Sequence, residues 1–229
     1  MFGIPYFLLL HANVSSAAAP LFSEIGYLTK LTTLYASGSN IVGEIPTEIG
    51  NLKLLNYLAF ENNKLNGPFP SVLMRLENLD LLFIGLNEFT GPISRDQWAF
   101  LGSLRASPIS VNNFTGTLPD DVGHMFAEAD LFDVTNNQFS GTIPSSISKM
   151  TNGNLLGFAY NRFTGTVPGN LSADILLVQS NNLNGEVPAS TCEAVVEERQ
   201  GTIVYDCSSN LTCPCDCACG SNYTFPNAW

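Results

Sequence analysis

The stretch LNYLAFENNKLNGPFPSVLMRLENL, residues 55–79, decides how this chain folds. Its central element, Asn-x-(Leu/Phe)-x-Gly-x-(Ile/Leu/Val)-Pro, recurs as NKLNGPFP, NEFTGPIS, NNFTGTLP, NQFSGTIP, NRFTGTVP and NNLNGEVP, after a variant SNIVGEIP. The glycines of these copies are Gly43, Gly67, Gly91, Gly116, Gly141, Gly165 and Gly185, separated by 24, 24, 25, 25, 24 and 20 residues. Self-similarity at such a period is the mark of stacked coils, each burying its apolar face against the next.

Counting back from the anchor of each copy gives the coil's physical plan. The anchors are Ser39, Asn63, Asn87, Asn112, Asn137, Asn161 and Asn181. Apolar residues stand five and three positions before them: Leu34/Ala36, Leu58/Phe60, Leu82/Ile84, Phe132/Val134, Leu156/Phe158 and Leu176/Val178, with Ser107/Ile109 the weakest pair. Alternation at period two predicts a short strand with one buried face. A buried Asn at the turn offers two donors and an acceptor, so successive anchors predict a ladder that satisfies the backbone of neighbouring coils. Ser39 does part of this, marking a less regular coil. The Gly permits a turn that a Cβ obstructs, and the following Pro fixes φ. After it, segments such as TEIGNLKLL (47–55) place apolar residues on one side of a loose helical turn.

Composition limits the function classes. The 229 residues are 45% hydrophobic and 13% charged, against roughly 25% charged in ordinary soluble domains. Such a chain buries enough surface to offset its conformational entropy, which argues against disorder. Its longest apolar run, residues 2–10, is too short to span a bilayer. Nine basic and 20 acidic residues leave a net charge of −11, which repels phosphate backbones and anionic lipid, so nucleic acid is not an expected partner. Asparagine is abundant, 23 residues in all: six are anchors and five begin Asn-x-Ser/Thr sequons, with none in both groups.

These residues resemble the leucine-rich-repeat family, specifically the plant type with consensus LxxLxLxxNxLxGxIPxxLGxLxxL, over about residues 22–188. The Gly-x-Ile-Pro element separates this type from other leucine-rich repeats. The resemblance implies an α/β solenoid: a right-handed curved superhelix with a parallel β-sheet on the concave face and loops or short helices on the convex side. Polygalacturonase-inhibitor-like proteins, receptor-kinase ectodomains and secreted algal repeat proteins are of this kind. It also implies a role in binding proteins, peptides or cell-wall glycans. No kinase signature follows the repeats and the paired cysteines of an N-terminal cap are absent, so the chain reads as a solenoid alone or as the C-terminal part of a receptor ectodomain.

The two ends depart from the repeat, giving three expected segments: 1–20, 21–189 and 190–229. Residues 1–20 read either as a secretory signal or as a degenerate first coil. In the second reading a step of 24 back from Ser39 puts Leu10 and Ala12 in the strand slots, with residues 20–26 as a worn Ile-Pro-Thr-Glu-Ile-Gly. All six cysteines, Cys192, Cys207, Cys213, Cys215, Cys217 and Cys219, fall in the last segment. They predict a disulfide-stapled cap over the exposed last coil, with 15 connectivities open. Metal ligation by CPCDCAC is disfavoured because structural zinc sites use longer spacers. Ser190 and Glu193 stand at capping-box spacing before a short helix ending near Gly201, and residues 203–207 read as a final strand. The sequons at Asn13, Asn113, Asn170, Asn210 and Asn222 join the cysteines in pointing to an extracellular protein, secreted or on the cell surface. Asn113 and Asn170 are expected in turns from which a glycan projects.

No set of residues converges for catalysis. The two histidines, His11 and His124, lie coils apart, and Asp120-Asp121 stands where a helical turn begins and acids favour its dipole. No catalytic residue, cofactor or metal is therefore expected. Binding is the better reading. Strand residues two, four and six before each anchor point away from the core and form a face of about 30 Å at strand spacing. They include Thr33, Tyr35 and Ser37; Tyr57 and Glu61; Leu81 and Phe83; Ser110; Leu131, Asp133 and Thr135; Leu155; and Ile175, Leu177 and Gln179. Tyr35, Tyr57, Leu81, Phe83, Leu155 and Leu177 predict an apolar contact for a partner, with Glu61 and Asp133 to orient it. Cross-strand packing explains part of the same row. On the opposite flank Thr115-Gly-Thr117, Ser140-Gly-Thr142 and Thr164-Gly-Thr166 stack in successive coils, the alternative being a hydroxyl array for ice or a polysaccharide surface.

Overall fold

The computed structural model describes residues 6–9, 17–151, 153–207 and 210–220, so the calls on His11, Asn13 and Asn222 lie outside the described residues. The chain divides into two compact units, residues 1–115 and 116–229. The first holds a parallel sheet in the order Tyr6–Leu9, Leu31–Tyr35, Tyr57–Ala59 and Leu81–Phe83, extended by a parallel bridge from Leu81 to Ala106. Its second row of parallel strands runs Ala19–Pro20, Ile41–Gly43, Lys64–Pro68 and Glu88–Pro92, and then reaches Asn113–Thr117, within which the unit boundary falls. The second unit repeats the plan with Leu131–Asp133, Leu155–Gly157, Ile175–Leu177, Thr202–Tyr205 and Ala218–Cys219. Its second row is Gln138–Thr142, Arg162–Gly165 and Asn182–Leu183.

Core and ladder follow the repeat. Leu34, Ala36, Leu58, Phe60, Leu82, Ile84, Leu156, Phe158 and Leu176 are wholly buried, each large side chain contributing roughly 1.5–3 kcal/mol by removal from water. A second apolar line two residues after each anchor holds Leu65, Phe89, Phe114, Phe139 and Phe163, also wholly buried. Phe89 stacks on Phe114 at 6.0 Å, and Phe139 on Phe163 at 6.5 Å. Asn63 Oδ1 accepts from Ser39 N and Ile41 N, while its Nδ2 donates to the carbonyls of Ala36, Phe60 and Glu61. Asn87, Asn112, Asn161 and Asn181 repeat this pattern, each accepting from one backbone N–H of the preceding coil and donating to three carbonyls. Asn137 Nδ2 donates to Val134 O and Thr135 O. Ser39 turns its hydroxyl to Ser37 O.

Coil length tracks the return segment. The 24-residue coils carry 3₁₀ turns, Thr47–Asn51, Ser71–Arg75 and Ser145–Lys149, each entered through a Pro. The 25-residue coils carry α-helices, Arg95–Gly102 and Val122–Met125. In the first of these Ser94 occupies the Pro slot and caps the helix: its Oγ accepts from Gln97 N, and Gln97 Oε1 accepts from Ser94 N at 2.8 Å. This capping box supports a true helix in which Trp98 and Leu101 are buried.

Three sequence expectations change. Tyr6–Leu9 is the strand of a coil preceding Leu31–Tyr35, but Leu8 rather than Leu10 lies opposite Leu34, because this coil is two residues longer than the regular step. Ser190 does not cap a helix. The helix Ala189–Cys192 starts after Pro188, and Ser190 Oγ accepts from Asn170 N of the preceding coil. Thr191 Oγ1 similarly accepts from Leu171 N and donates to Pro168 O. Asn113 opens a strand instead of a turn, although it is exposed; Asn170 sits in a turn at φ 58°.

The cysteine-rich segment begins as one more coil. Thr202–Tyr205 continues the sheet, and Leu211–Thr212 pairs with Gly185–Glu186. Thr212 Oγ1 donates to Gly185 O just as Thr164 Oγ1 donates to Gly141 O in a regular coil. Disulfides join Cys192 to Cys215, Cys207 to Cys219 and Cys213 to Cys217.

Candidate functional site

The sheet faces turned away from the core carry the predicted contact residues. In the first unit Tyr35, Ala59 and Phe83 are in register across three strands, and Ala59 is wholly buried. Tyr57 and Phe83 lie 5.6 Å apart between ring centroids, tilted by 37°. Tyr35, Tyr57, Leu81 and Phe83 all remain partly exposed, because a single-layer sheet face leaves the outer edge of each ring in solvent. One step toward the Asn turn, Glu61 lies in the row between Ser37 and Gly85, the residues 24 before and after it. Gly38 N donates to Glu61 O, and Asn62 N to Gly85 O, which fixes the three strands' ends side by side.

Electrostatics single out Glu61. Burial holds its carboxyl above the usual carboxylate range. The Tyr57 phenol is pushed up by burial first, then by the charge of Glu61 and by Tyr35. Ser37 Oγ is buried without a hydrogen-bond partner among the described residues. The polar atoms of this row are therefore not closed into a network of their own, which an ordinary packed surface avoids.

The second unit treats the same slots differently. Leu155 and Leu177 are 9% and 1% exposed, packed with Ala159 and Val204 and against Leu131, Ile175 and Ala218. They are expected at a contact face, but the sheet continues past the repeats through Thr202–Tyr205 and Ala218–Cys219, whose Val204 and Ala218 pack beside them in one apolar cluster. Gln179 is 2% exposed, with the backbone of Gly220 packed directly on its side chain. Asp133 is half-buried and its Oδ1 accepts from Thr135 N at 3.0 Å; Gly157 in the adjoining strand leaves room that a Cβ would take from both. Two open pockets, of about 440 and 420 Å³, are lined by neither Tyr57 nor Phe83. One is lined by Val196, Gln200, Thr202 and Asp216, the other by Phe7, Leu8, Tyr27 and Leu28. A flat strand face encloses little volume, so these pockets do not mark it.

On the other flank the two hydroxyl rows part company. Ser140 Oγ and Thr164 Oγ1 donate to the glycine carbonyls of the preceding coil, Gly116 and Gly141. Thr117, Thr142 and Thr166 are exposed, their methyls leaning toward Gly141, Gly165 and Gly185. His124 is exposed. The sulfurs of Cys192, Cys213 and Cys215 cluster within 4.8 Å, but each belongs to a disulfide, which leaves no thiolate to ligate a metal. No helix among the described residues is long and apolar enough to cross a membrane.

Parallel strands, one asparagine per coil and a glycine bend together define an α/β solenoid. Its repeats are leucine-rich repeats of the plant type, and the chain is a leucine-rich-repeat protein. The family profile described as Leucine Rich Repeat matches residues 30–52 and 131–150. No curated protein matches the chain in sequence. The leucine-rich-repeat ectodomain of the plant membrane receptor kinase GASSHO1/SCHENGEN3 from Arabidopsis thaliana, solved in complex with CASPARIAN STRIP INTEGRITY FACTOR 2, is similar at 27% identity and a TM-score of 0.74. That match covers 88% of this chain and 24% of the ectodomain. The plant peptide hormone receptor RGFR1 in complex with RGF2 is 27% identical with a TM-score of 0.71, over 86% of this chain and 30% of that one. A plant ice-binding protein shares the fold at 19% identity and a TM-score of 0.56, over 94% and 84% of the two chains. This chain thus spans about a quarter to a third of the receptor ectodomains it resembles.

Proposed function

We propose that the chain is a non-catalytic extracellular binding module that takes a protein, peptide or cell-wall glycan ligand on the outward sheet face of its first unit. The observation that carries this reading is the partly exposed patch of Tyr35, Tyr57, Leu81 and Phe83, in two adjoining rows, with Glu61 beside it. Aromatics already held by the strands lose little entropy on binding, and an apolar patch with one charge is what a recognition surface needs. Similarity to ectodomains solved with CASPARIAN STRIP INTEGRITY FACTOR 2 and with RGF2 supports a peptide or protein ligand over a glycan. Three disulfides and the exposed sequon residues Asn113, Asn170 and Asn210 support the compartment. The test is affinity capture from the native extracellular medium with the parent chain, with Tyr57→Asp and Phe83→Asp, and with the opposite-flank control Thr142→Asp. The reading requires retention by the parent and the control and loss in both face variants; equal retention by all four ends it.

A second reading rests on Thr117, Thr142 and Thr166, three exposed hydroxyl-and-methyl groups in successive coils, as a surface for ice or a polysaccharide. Ice-recrystallisation assays decide it: inhibition by the parent that disappears in Thr142→Asp supports it, and unaltered ice growth at high protein concentration rejects it.

A further inference from the structure

Glu61 is a carboxylate in the least convenient place for one. It is half-buried on the outward face, and the neighbours in its row, Ser37 and Gly85, are too small to cover it or to offer it a cationic partner. Along the strand the next row is Tyr35, Ala59 and Phe83, with Tyr57 beyond it in contact with Phe83. The carboxylate therefore has no long side chain beside it in its own row, and the aromatic rings stand along one side of it. No ion pair or side-chain hydrogen bond of Glu61 is found among the described residues, although Lys53, Arg105 and Arg199 elsewhere all have acidic partners. Burying an acid without a partner costs stability, so a structural role does not account for its presence.

A cation placed over the carboxylate and beside the aromatic rings satisfies both at once: charge-assisted hydrogen bonding to the acid, and attraction to the rings. A planar guanidinium or a lysine ammonium on a side chain long enough to reach the carboxylate fits this arrangement. An anion or a neutral sugar leaves the acid desolvated and unpaired. The protein's net charge of −11 draws in basic partners over distance. We propose that the surface around Glu61 is the specificity subsite of the outward face and receives a basic side chain, arginine or lysine, of a peptide or protein partner. This rests on the face being the binding surface and names what it selects.

The probe is a random short-peptide library displayed on phage and selected against the full disulfide-bonded chain. Enriched peptides are then measured against the parent, Glu61→Gln, Glu61→Asp and Phe83→Asp, with thermal melting to confirm that each variant is folded. The subsite predicts a common arginine or lysine in the selected peptides. It predicts an affinity loss of roughly ten- to a hundredfold in Glu61→Gln, partial retention in Glu61→Asp, and an equal loss when the basic peptide residue is replaced by citrulline or norleucine. Peptides lost by Phe83→Asp but indifferent to Glu61→Gln and lacking a common basic residue overturn the subsite while leaving the face intact. Peptides indifferent to both variants, or no enrichment at all, overturn both.

Discussion

The side-chain carbonyl of Asn87 accepts a hydrogen bond from the backbone N–H of Leu65, 22 residues earlier, at 3.0 Å. The same amide donates to the carbonyls of Phe60, Ile84 and Gly85. One side chain thereby joins two coils where their backbones turn, sharing the three carbonyls with Asn63, Asn112 and the backbone N–H of Asn62. Replacing it by Ala orphans the buried Leu65 N–H, while the three carbonyls each lose one of two donors and keep the other: Asn63 Nδ2 at Phe60 O, Asn112 Nδ2 at Ile84 O and Asn62 N at Gly85 O. Asn87→Ala is expected to lose about 1–3 kcal/mol in urea unfolding, while exposed Asn66→Ala changes stability by less than about 0.5 kcal/mol. Equal effects at the two positions contradict the ladder.

The residue just before each regular anchor has a left-handed backbone: Asn62, Leu86, Val111, Asn136, Tyr160 and Ser180 all have φ of 54–55°. Asn tolerates this region, whereas a β-branched Val does so at a cost. Val111→Asn and Leu86→Asn are therefore expected to raise stability by about 0.4–1 kcal/mol, read as a shift in the urea midpoint.

Most of the fold could be read from the repeat because strand, ladder and bend sit at fixed offsets from Asn-x-x-x-Gly. The left-handed turn could not, because at Leu86, Val111 and Tyr160 the backbone is set by the hydrogen bonds of the following Asn against the preference of the residue itself. It also accounts for part of the asparagine excess, at Asn62 and Asn136. The candidate face was legible only in part. Tyr57, Phe83 and Glu61 depend on neighbours one period away, which the repeat supplies. The fate of Leu155 and Leu177 depends on Val204 and Ala218, which lie past the last anchor where the pattern stops. Cysteine pairing has no periodicity to read.

Burial raises the Glu61 carboxyl above its ordinary value of 4.5. Between that value and the folded one the native state holds more protons than the unfolded chain, so this group makes stability fall as pH rises through the window, with the penalty complete above it. Glu61→Gln removes the penalty. The variant is expected to be more stable than the parent at neutral pH, with the difference closing as pH drops below the unfolded carboxylate value. Denaturant titrations on the two sides of the window check it; a variant less stable than the parent at neutral pH contradicts it.

Cys207 and Cys219 close a 12-residue separation at the strand that finishes the second unit's sheet. Paired Cys207→Ser and Cys219→Ser changes are expected to cost about 2–4 kcal/mol. Leu155 and Leu177, now packed in one cluster with Val204 and Ala218 of that sheet's last two strands, should then become accessible, seen as increased binding of an apolar dye at low denaturant. Unchanged stability and dye binding in the double variant contradict the capping role.

The most direct test of the binding face is hydroxyl-radical footprinting of the protein alone and with its captured or selected partner. Protection concentrated at Tyr35, Tyr57 and Phe83, with the exposed rings of Tyr27 and Tyr160 oxidised at unchanged rates, is the predicted result. Protection at Tyr27 or Tyr160, with Tyr57 and Phe83 oxidised as fast as in the free protein, contradicts the account.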